Sequence, residues 1–243
     1  MRPSEPTRKI SINDGTKTFE ATVIDASLPL QTVLFAVGGG GDPARHLPLL
    51  SHLAAQGCTV VAPHFERMMS WVPTADDLLL RARRLTLALD AVSPPGMRVS
   101  GVGHSIGATM LLGLAGGHVW MHAGKRLDII PDARLDRLAL LAPATGFFQA
   151  PGALDEVQIP LLAWAGTEDE ITPPSHVELL RDTLGSRIPL DIRITTDAGH
   201  FSFMNELPPT LVDPHPDREA FLEEIATEIS RFLTRPNPSL RAS

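Results

Sequence analysis

The hydrophobic and polar positions along the chain form short apolar runs that alternate with longer segments carrying one apolar face. The short runs predict buried β-strands, and the segments with helical spacing predict amphipathic helices that cover them. Eight strands are predicted, at residues 9–13, 18–25, 32–37, 58–62, 98–102, 137–141, 161–165 and 190–195. Five helices are predicted, at residues 47–56, 75–92, 106–115, 174–184 and 218–234.

The alternation of strands and helices predicts an α/β fold with a mostly parallel central sheet of about eight strands, flanked by helices. No internal repeat or linker divides the chain, so residues 1–235 are predicted to form a single domain and residues 236–243 a disordered tail. The segment between residues 141 and 161 is too short for a large cap domain. Residues 117–134 are expected to form only a small excursion, which leaves little or no cap.

One segment resembles a membrane span at first sight, because residues 99–124 contain no Asp, Glu, Lys or Arg over 26 positions. The same segment contains seven glycines, three histidines and two serines. Hydrocarbon penalises such polar side chains, so a buried strand, a tight turn and a buried helix are the favoured interpretation. No membrane span is therefore predicted.

Composition restricts the chemistry that this chain can perform. It has 243 residues, with 21 basic and 28 acidic side chains and a net charge of −7, which argues against a nucleic-acid partner. The single cysteine, Cys58, excludes an internal disulfide framework, and there is no tyrosine. Residues 1–10 contain no apolar run typical of a secretion signal, so a cytoplasmic location is expected. Catalysis would depend on Ser, His, Asp, Glu or the backbone.

The most informative motif is Gly103-His104-Ser105-Ile106-Gly107, at the junction of a predicted strand and a predicted helix. A serine in such a tight turn is exposed at the carboxyl edge of the sheet, and its neighbours must be small. The helix that follows would offer the N–H of Ile106 to a developing oxyanion. A dinucleotide-binding turn is the alternative, but the third glycine falls one position late and no acidic residue follows at the required distance.

A serine nucleophile needs a histidine to accept its proton and a carboxylate to orient that histidine. His200 directly follows the last predicted strand, in Gly199-His200-Phe201. Three acids follow the strand at 161–165, and Asp169 is preferred because it lies three residues past the glycine, far enough to turn inward. The order Ser105, Asp169, His200 is the one expected on such a sheet.

These motifs together resemble those of the α/β-hydrolases. The acid loop Gly-Thr-Glu-Asp-Glu-Ile-Thr-Pro-Pro and the base loop Gly-His-Phe are most similar to dienelactone-hydrolase-like and platelet-activating-factor-acetylhydrolase-like serine esterases. The resemblance implies that Ser105 is the nucleophile, Asp169 the acid and His200 the base. Two departures are that Val37-Gly38 replaces the His-Gly pair of many relatives, and that dienelactone hydrolases have a cysteine where Ser105 stands.

Four consecutive glycines, at residues 38–41, follow the third predicted strand and are expected to complete the oxyanion hole. The resemblance selects the N–H of Gly39, with Gly40 as the close second. A phosphate-binding loop is disfavoured because no Gly-Lys-Ser/Thr follows. A plain flexible turn remains open if the glycines are considered without the serine motif.

Large apolar side chains occur in the loops predicted at the same edge, where they could line an acyl pocket. The candidates are Met68, Met69, Trp71, Phe147, Phe148, Phe201 and Phe203; Met68, Phe147, Phe148 and Phe201 are preferred. Core packing is the alternative for each of them.

No metal site and no cofactor are predicted. His118 and His122 have the spacing of helical metal ligands, but no glutamate follows His118 and no third ligand is evident. His104 is assigned to packing, because its side chain should point away from Ser105.

The predicted function is hydrolysis of a small-molecule carboxylic ester through a Ser-His-Asp triad and an acyl-enzyme. Alternatives that remain open are an acyltransferase or thioesterase with the same triad, and a non-catalytic binding protein on a hydrolase scaffold. The sequence does not determine the natural substrate or the oligomeric state.

Overall fold

The structure, a computed structural model, describes residues 7–70, 72–122 and 124–235. Ten strands are present in this part of the chain: β1 (Thr7–Asn13), β2 (Thr18–Ile24), β3 (Gln31–Ala36), β4 (Cys58–Pro63), β5 (Val99–His104), β6 (Trp120–His122), β7 (Lys125–Arg126), β8 (Leu135–Leu141), β9 (Leu161–Gly166) and β10 (Leu190–Thr195). The helices are α1 (Leu47–Ala55), α2 (Ala75–Val92), α3 (Ile106–Leu114), α4 (Ser175–Leu184) and α5 (Arg218–Thr234). The tail at 236–243 lies outside the described residues.

Eight of the strands form one sheet in the order β1-β2-β4-β3-β5-β8-β9-β10. In this order, every neighbouring pair from β4 onward is parallel. At the other edge, β1 pairs antiparallel with β2, and β2 pairs antiparallel with β4. The predicted eight-stranded, mostly parallel sheet is therefore confirmed. The short hairpin of β6 and β7 was not predicted as strands, because so few residues carry no readable alternation; it is the small excursion expected at 117–134.

Helices cover both faces of the sheet and enclose two apolar layers. Helices α2, α3 and α4 pack on one face, with Leu85, Leu111 and Leu180 among the buried side chains. Helices α1 and α5 pack on the other face, where Leu50 and Ile229 are buried. Because apolar side chains cover both faces, the central strands are continuous apolar runs rather than alternating ones.

Local hydrogen bonds set where the elements begin and how the first hairpin docks. Thr74 and Asp77 form a reciprocal capping box that starts α2. In the turn between β1 and β2, the buried carboxylate of Asp14 accepts the N–H groups of Thr16 and Lys17 at 2.9 and 2.8 Å. It also pairs with Arg84 of α2 at 2.7 Å, which attaches the hairpin to that helix.

The uncharged segment at 99–124 folds as the sequence indicates. It forms β5, the turn at Ser105, helix α3 and the start of the small hairpin. All nine residues of α3 are buried, which explains why it carries no charge. None of the helices in the described part of the chain combines the length and apolar character needed to cross a bilayer.

The carboxyl ends of the parallel strands gather several loops at one edge of the sheet, including those after β4 and β10 that carry Met68 and His200. The others are the glycines after β3, the turn after β5, residues 142–148 after β8 and residues 167–174 after β9. The connection from β8 to β9 contains a single turn of 3₁₀ helix (Thr145–Phe148). No α-helix or strand is inserted in this connection.

The contact between α3 and β3 leads to a stability prediction. A Cβ at position 107 would lie 2.0 Å from the carbonyl oxygen of Ala36. We expect Gly107→Ala to lower the free energy of unfolding by about 3 kcal/mol or more, because backbone rather than a side chain must move. Chemical denaturation measures the change. Gly40→Ala is the matched control, since a Cβ there meets no atom within 4 Å; equal stability of the two variants would contradict the prediction.

Candidate active site

The turn between β5 and α3 holds Ser105 in a strained backbone conformation. Its φ and ψ are 56° and −125°, a region that side-chain-bearing residues rarely adopt. A Cβ at position 103 would lie 2.8 Å from the backbone nitrogen of Ala108, so a glycine is required there as well as at position 107. The N–H of Ser105 donates to the carbonyl of Leu141 at 2.9 Å, which fixes the turn to β8. The serine is half-buried and its hydroxyl faces His200.

Ser105, His200 and Asp169 form a continuous hydrogen-bonded chain. The Oγ of Ser105 lies 3.0 Å from Nε2 of His200, and Nδ1 of His200 lies 2.8 Å from Oδ2 of Asp169. Asp169 and His200 are 2% and 6% exposed, so water has little access to this contact. Since an ionised carboxylate can only accept, the proton between them is on Nδ1 of His200. This leaves the lone pair of Nε2 directed at the serine hydroxyl.

The carboxylate of Asp169 is kept ionised by its hydrogen bonds. Its Oδ1 accepts the backbone N–H groups of Ile171 and Thr172 at 2.9 and 2.7 Å, and its Oδ2 accepts the hydroxyl of Thr172 at 2.7 Å. Burial by itself would raise the pKa of Asp169. The hydrogen bond and charge of His200, together with the bonds from Thr172, outweigh burial and hold that pKa below its usual value.

Thr172 is a site residue that the sequence analysis did not identify. Besides Asp169, its hydroxyl lies 3.0 Å from the carbonyl oxygen of Ala142 and 3.0 Å from Nδ1 of His200. It therefore joins the loop of Asp169, the ring of His200 and the loop after β8. Nothing in the local sequence singles out Thr172, because its partners Ala142 and His200 are 30 and 28 positions away along the chain.

His104 also contributes more than packing, although the sequence assigned it only that. Its ring is 2% exposed and lies 4.9 Å, centroid to centroid, from the ring of His200. Its Nε2 lies 3.0 Å from the backbone carbonyl of His200, and since a carbonyl only accepts, Nε2 carries the hydrogen. Burial and the charges of His200 and His46 hold the pKa of His104 well below its usual value. A neutral histidine next to the serine thus supports the backbone of His200.

Two backbone N–H groups beside Ser105 have no acceptor in the part of the chain that the structure describes. Ile106 is the first residue of α3, so its N–H has no carbonyl in its own helix to bond. Among the described residues, the N–H of Gly39 has no acceptor either. The glycine loop is next to the serine, because a Cβ at Gly38 would lie 3.3 Å from the Cβ of Ser105.

The loop after β8 forms another border of the site. Its Ala144 donates to the carbonyl of Ser105 at 3.4 Å and accepts from the hydroxyl of Thr109 at 2.6 Å. The next residue, Thr145, donates its N–H to Nδ1 of His176 at 2.8 Å. Burial lowers the pKa of His176, which lies near enough to Asp169 and His200 for their charges to act on it.

Two of the four preferred pocket residues, Met68 and Phe201, contact Gly39 and His200, whereas the other two lie in the loop after β8 and pack against the core. Met68 lies over Gly39, where its Sδ would be 3.5 Å from a Cβ on that glycine. The ring of Phe201 is half-buried and meets the ring of His200 edge-on at 5.1 Å. Phe147 is half-buried at the loop after β8. Phe148 is only 3% exposed, because its ring fills the space that Gly117 leaves open, so we omit it from the proposed pocket.

The remaining candidates are placed away from the serine or outside the described residues. Phe203 is fully buried in the core, Met69 is 94% exposed, and Trp71 lies outside the described residues. His118 lies 3.5 Å from Glu156, whereas the side chain of His122 is not among those described. Across residues 7–70, 72–122 and 124–235, no three His, Cys, Asp or Glu side chains are grouped closely enough to hold a metal ion.

Solved structures resemble this chain, whereas no family model and no curated protein matches it. A dienelactone hydrolase from Anabaena variabilis has a TM-score of 0.66 and 18% identity, over 94% of this chain and 96% of its own. An esterase from Thermogutta terrifontis with bound propionate has a TM-score of 0.66 and 15% identity, over 97% of both chains. A protein of unknown function from Agrobacterium tumefaciens, assigned to the α/β-hydrolases, has a TM-score of 0.68 and 16% identity, over 95% of this chain and 100% of its own.

At such identities the likeness shows the fold. The chain has the α/β-hydrolase fold, which confirms the fold that the sequence motifs implied. The assignment of an activity to this fold depends on the site residues themselves.

The lowered pKa of Asp169 predicts how its contribution to stability varies with pH. A carboxylate whose pKa is lower in the folded than in the unfolded state stabilises the fold above its unfolded pKa. That contribution is lost as the pH falls through the folded pKa. We therefore expect Asp169→Asn to cost stability at pH 7, and the difference from wild type to shrink as the pH falls below about 4. Urea unfolding at several pH values measures it.

Asp128→Asn provides the control, because Asp128 is exposed and lies outside the site. This variant should unfold like the wild type at each pH. A difference between wild type and Asp169→Asn that stayed constant down to pH 3 would show that the charge of Asp169 is not what stabilises the fold.

Proposed function

We propose that this protein is a serine hydrolase that cleaves carboxylic esters of small molecules through an acyl-enzyme intermediate. The observation that carries the proposal is the unbroken chain from Ser105 through His200 to Asp169, with contacts of 3.0 and 2.8 Å, at a strained turn. A serine hydroxyl is a weak nucleophile unless a base of this kind accepts its proton. The strained backbone, the buried acid and the oriented imidazole together supply that requirement.

Acylation follows from the directions of these hydrogen bonds. Oγ of Ser105 attacks the ester carbonyl carbon while its proton moves to Nε2 of His200, and the carbonyl electrons move onto oxygen. Collapse of this tetrahedral species breaks the bond to the leaving oxygen, which takes the proton from His200. Asp169 stabilises the transient imidazolium and keeps Nδ1 protonated. Water then repeats the sequence on the acyl-enzyme and releases the acid.

The oxyanion of both tetrahedral species would bind to the N–H groups of Gly39 and Ile106. Both groups are without acceptors in the described residues and lie beside Ser105. The Ile106 N–H also lies at the positive end of the α3 dipole. Donors that are already oriented for the charged state need no rearrangement when the charge develops, and this is a large part of catalysis by such sites.

The surroundings of the serine favour a short, apolar acyl group. Met68, Phe147 and Phe201 supply apolar surface near Gly39, the loop after β8 and His200 respectively. The structurally similar esterase from Thermogutta terrifontis was determined with propionate bound. We propose that esters of small acids are the substrates, and that these three side chains form the pocket walls.

The core of this proposal is tested by covalent labelling. A fluorophosphonate probe should label wild-type protein at Ser105, and peptide mapping identifies the labelled serine. Ser105→Ala and His200→Ala should each lower kcat on a short-chain nitrophenyl ester by about 10³-fold or more, because the proton transfer is lost. Circular dichroism verifies that the variants are folded.

His52→Ala is the matched histidine control, since His52 is a half-buried side chain on α1 away from the triad. It should retain labelling and turnover. Turnover within ten-fold of wild type in Ser105→Ala would refute the assignment of the nucleophile. Binding of small acids without hydrolysis of any ester in a chain-length series would favour the non-catalytic alternative.

A further inference from the structure

The glycine loop that would hold the oxyanion is fixed through its carbonyl oxygens. The carbonyl of Gly38 accepts the N–H of Gly41 at 3.2 Å, and that of Gly39 accepts the N–H of Met68 at 2.8 Å. The carbonyl of Gly41 accepts the N–H of Phe65 at 2.9 Å. Glycine residues allow many backbone conformations, so a loop made of them is not rigid by itself. These hydrogen bonds hold it in one conformation.

A buried arginine of α2 contributes to the same support. Nη1 of Arg81 lies 3.4 Å from the carbonyl oxygen of Val37 and 3.3 Å from that of Gly38. The guanidinium also lies 4.6 Å above the centre of the Phe65 ring. Arg81 is 4% exposed, and its Nη2 has no partner among the described residues.

The environment of Arg81 differs from that of the next buried arginine on the same helix. Arg84 pairs with the carboxylate of Asp14 at 2.7 Å, which compensates its burial in the ordinary way. Arg81 has no carboxylate within ion-pair distance among the described residues, and its direct contacts are with two backbone carbonyls and an aromatic ring. Burying a cation without a carboxylate partner costs free energy. The position of Arg81 against the Gly38 peptide therefore indicates a role at that peptide.

Peptide geometry connects this contact to the reacting atoms. The carbonyl of Gly38 and the N–H of Gly39 belong to one planar peptide, in which the two bonds point in opposite directions. Because Arg81 and Gly41 hold the carbonyl on one side, the N–H of Gly39 is directed to the other side. The Gly38 segment lies against Ser105, where a substrate carbonyl would react.

We propose that Arg81 is a positioning residue of the oxyanion hole, which orients the Gly38–Gly39 peptide and places a positive charge behind it. This inference rests on the proposed function. The charge polarises the peptide and makes its N–H a stronger hydrogen-bond donor. This gain is larger when the acceptor is an oxyanion than when it is a neutral carbonyl oxygen. The effect of Arg81 should therefore be larger in the transition state than in the bound substrate.

Arg81 remains a cation under working conditions. Burial lowers its pKa to about 10, against the opposing influence of Asp77. Since this value is far above neutral pH, the guanidinium is charged when the enzyme turns over.

Arg81→Met and Arg81→Lys test the proposal on a short-chain nitrophenyl ester. We expect Arg81→Met to lower kcat by about 10- to 100-fold, less than or similar to the loss of a direct oxyanion donor, with KM nearly unchanged. Arg81→Lys should fall between Arg81→Met and wild type, because an ammonium restores the charge but lacks the planar guanidinium that stacks on the Phe65 ring.

A transition-state analogue provides a readout that a merely structural role would not move. When Ser105 adds to a trifluoromethyl ketone, the Oγ–C bond forms, the proton moves to His200, and the ketone oxygen becomes an oxyanion. The inhibition constant of such a ketone should rise in Arg81→Met by the same factor by which kcat/KM falls. Arg84→Met is the matched control; it should unfold more easily but keep both the kcat and the inhibition constant of wild type.

The outcomes separate this inference from the function on which it rests. If the wild type neither turns over esters nor is labelled at Ser105, the proposed function fails. If the wild type is active and folded Arg81→Met retains wild-type kcat and ketone affinity, the role of Arg81 is refuted. Should Arg81→Met not fold, Arg81→Lys decides: wild-type values for both quantities in that variant refute the role.

Discussion

The contact between the start of α3 and the end of β3 is the constraint on which the site depends. Gly107 lies so close to the carbonyl of Ala36 that no side chain fits between them. This close approach holds Ser105 at a φ of 56° and places the first N–H of α3 beside the glycine loop after β3. One backbone contact therefore positions Ser105, the proposed nucleophile, and both N–H groups of the proposed oxyanion hole. All nine residues of α3 are buried, and their packing offsets the free-energy cost of the strained turn.

Around this contact, the polar groups are arranged so that charge lies where the chemistry needs it. Asp169 is ionised and buried, and its hydrogen bonds hold its pKa down. His104, next to the serine, is kept neutral by burial, so it can support His200 without adding a second positive charge. Arg81 supplies positive charge on the far side of the glycine loop. Asp169, His104 and Arg81 are thereby each held in one protonation state by their surroundings, as the proposed preorganised site requires.

Much of the fold could be predicted because its signals are local. All eight strands of the main sheet and all five helices were predicted, with bounds that shift by at most two residues, and α2 was predicted at both ends. The capping box at Thr74 and the proline- and glycine-rich stop after Val92 explain that agreement. Ser105, Asp169 and His200 were predicted because each lies in the loop that follows a strand, and parallel strands bring their carboxyl ends to one edge. Phe148 was misplaced, since nothing in a pair of adjacent phenylalanines indicates which ring will enter the core.

By itself, the sequence determined which residues form strands, helices and turns, and hence which serine, acid and histidine could meet. Hydrophobic periodicity and turn chemistry act over a few neighbouring residues, so they can be read along the chain. The tertiary structure alone decided the contacts between segments distant in sequence. It placed Thr172 between Asp169 and His200, joined His104 to the backbone of His200, and brought Arg81 beneath Gly38. Such contacts depend on how helices and loops pack across the sheet, which no single segment encodes.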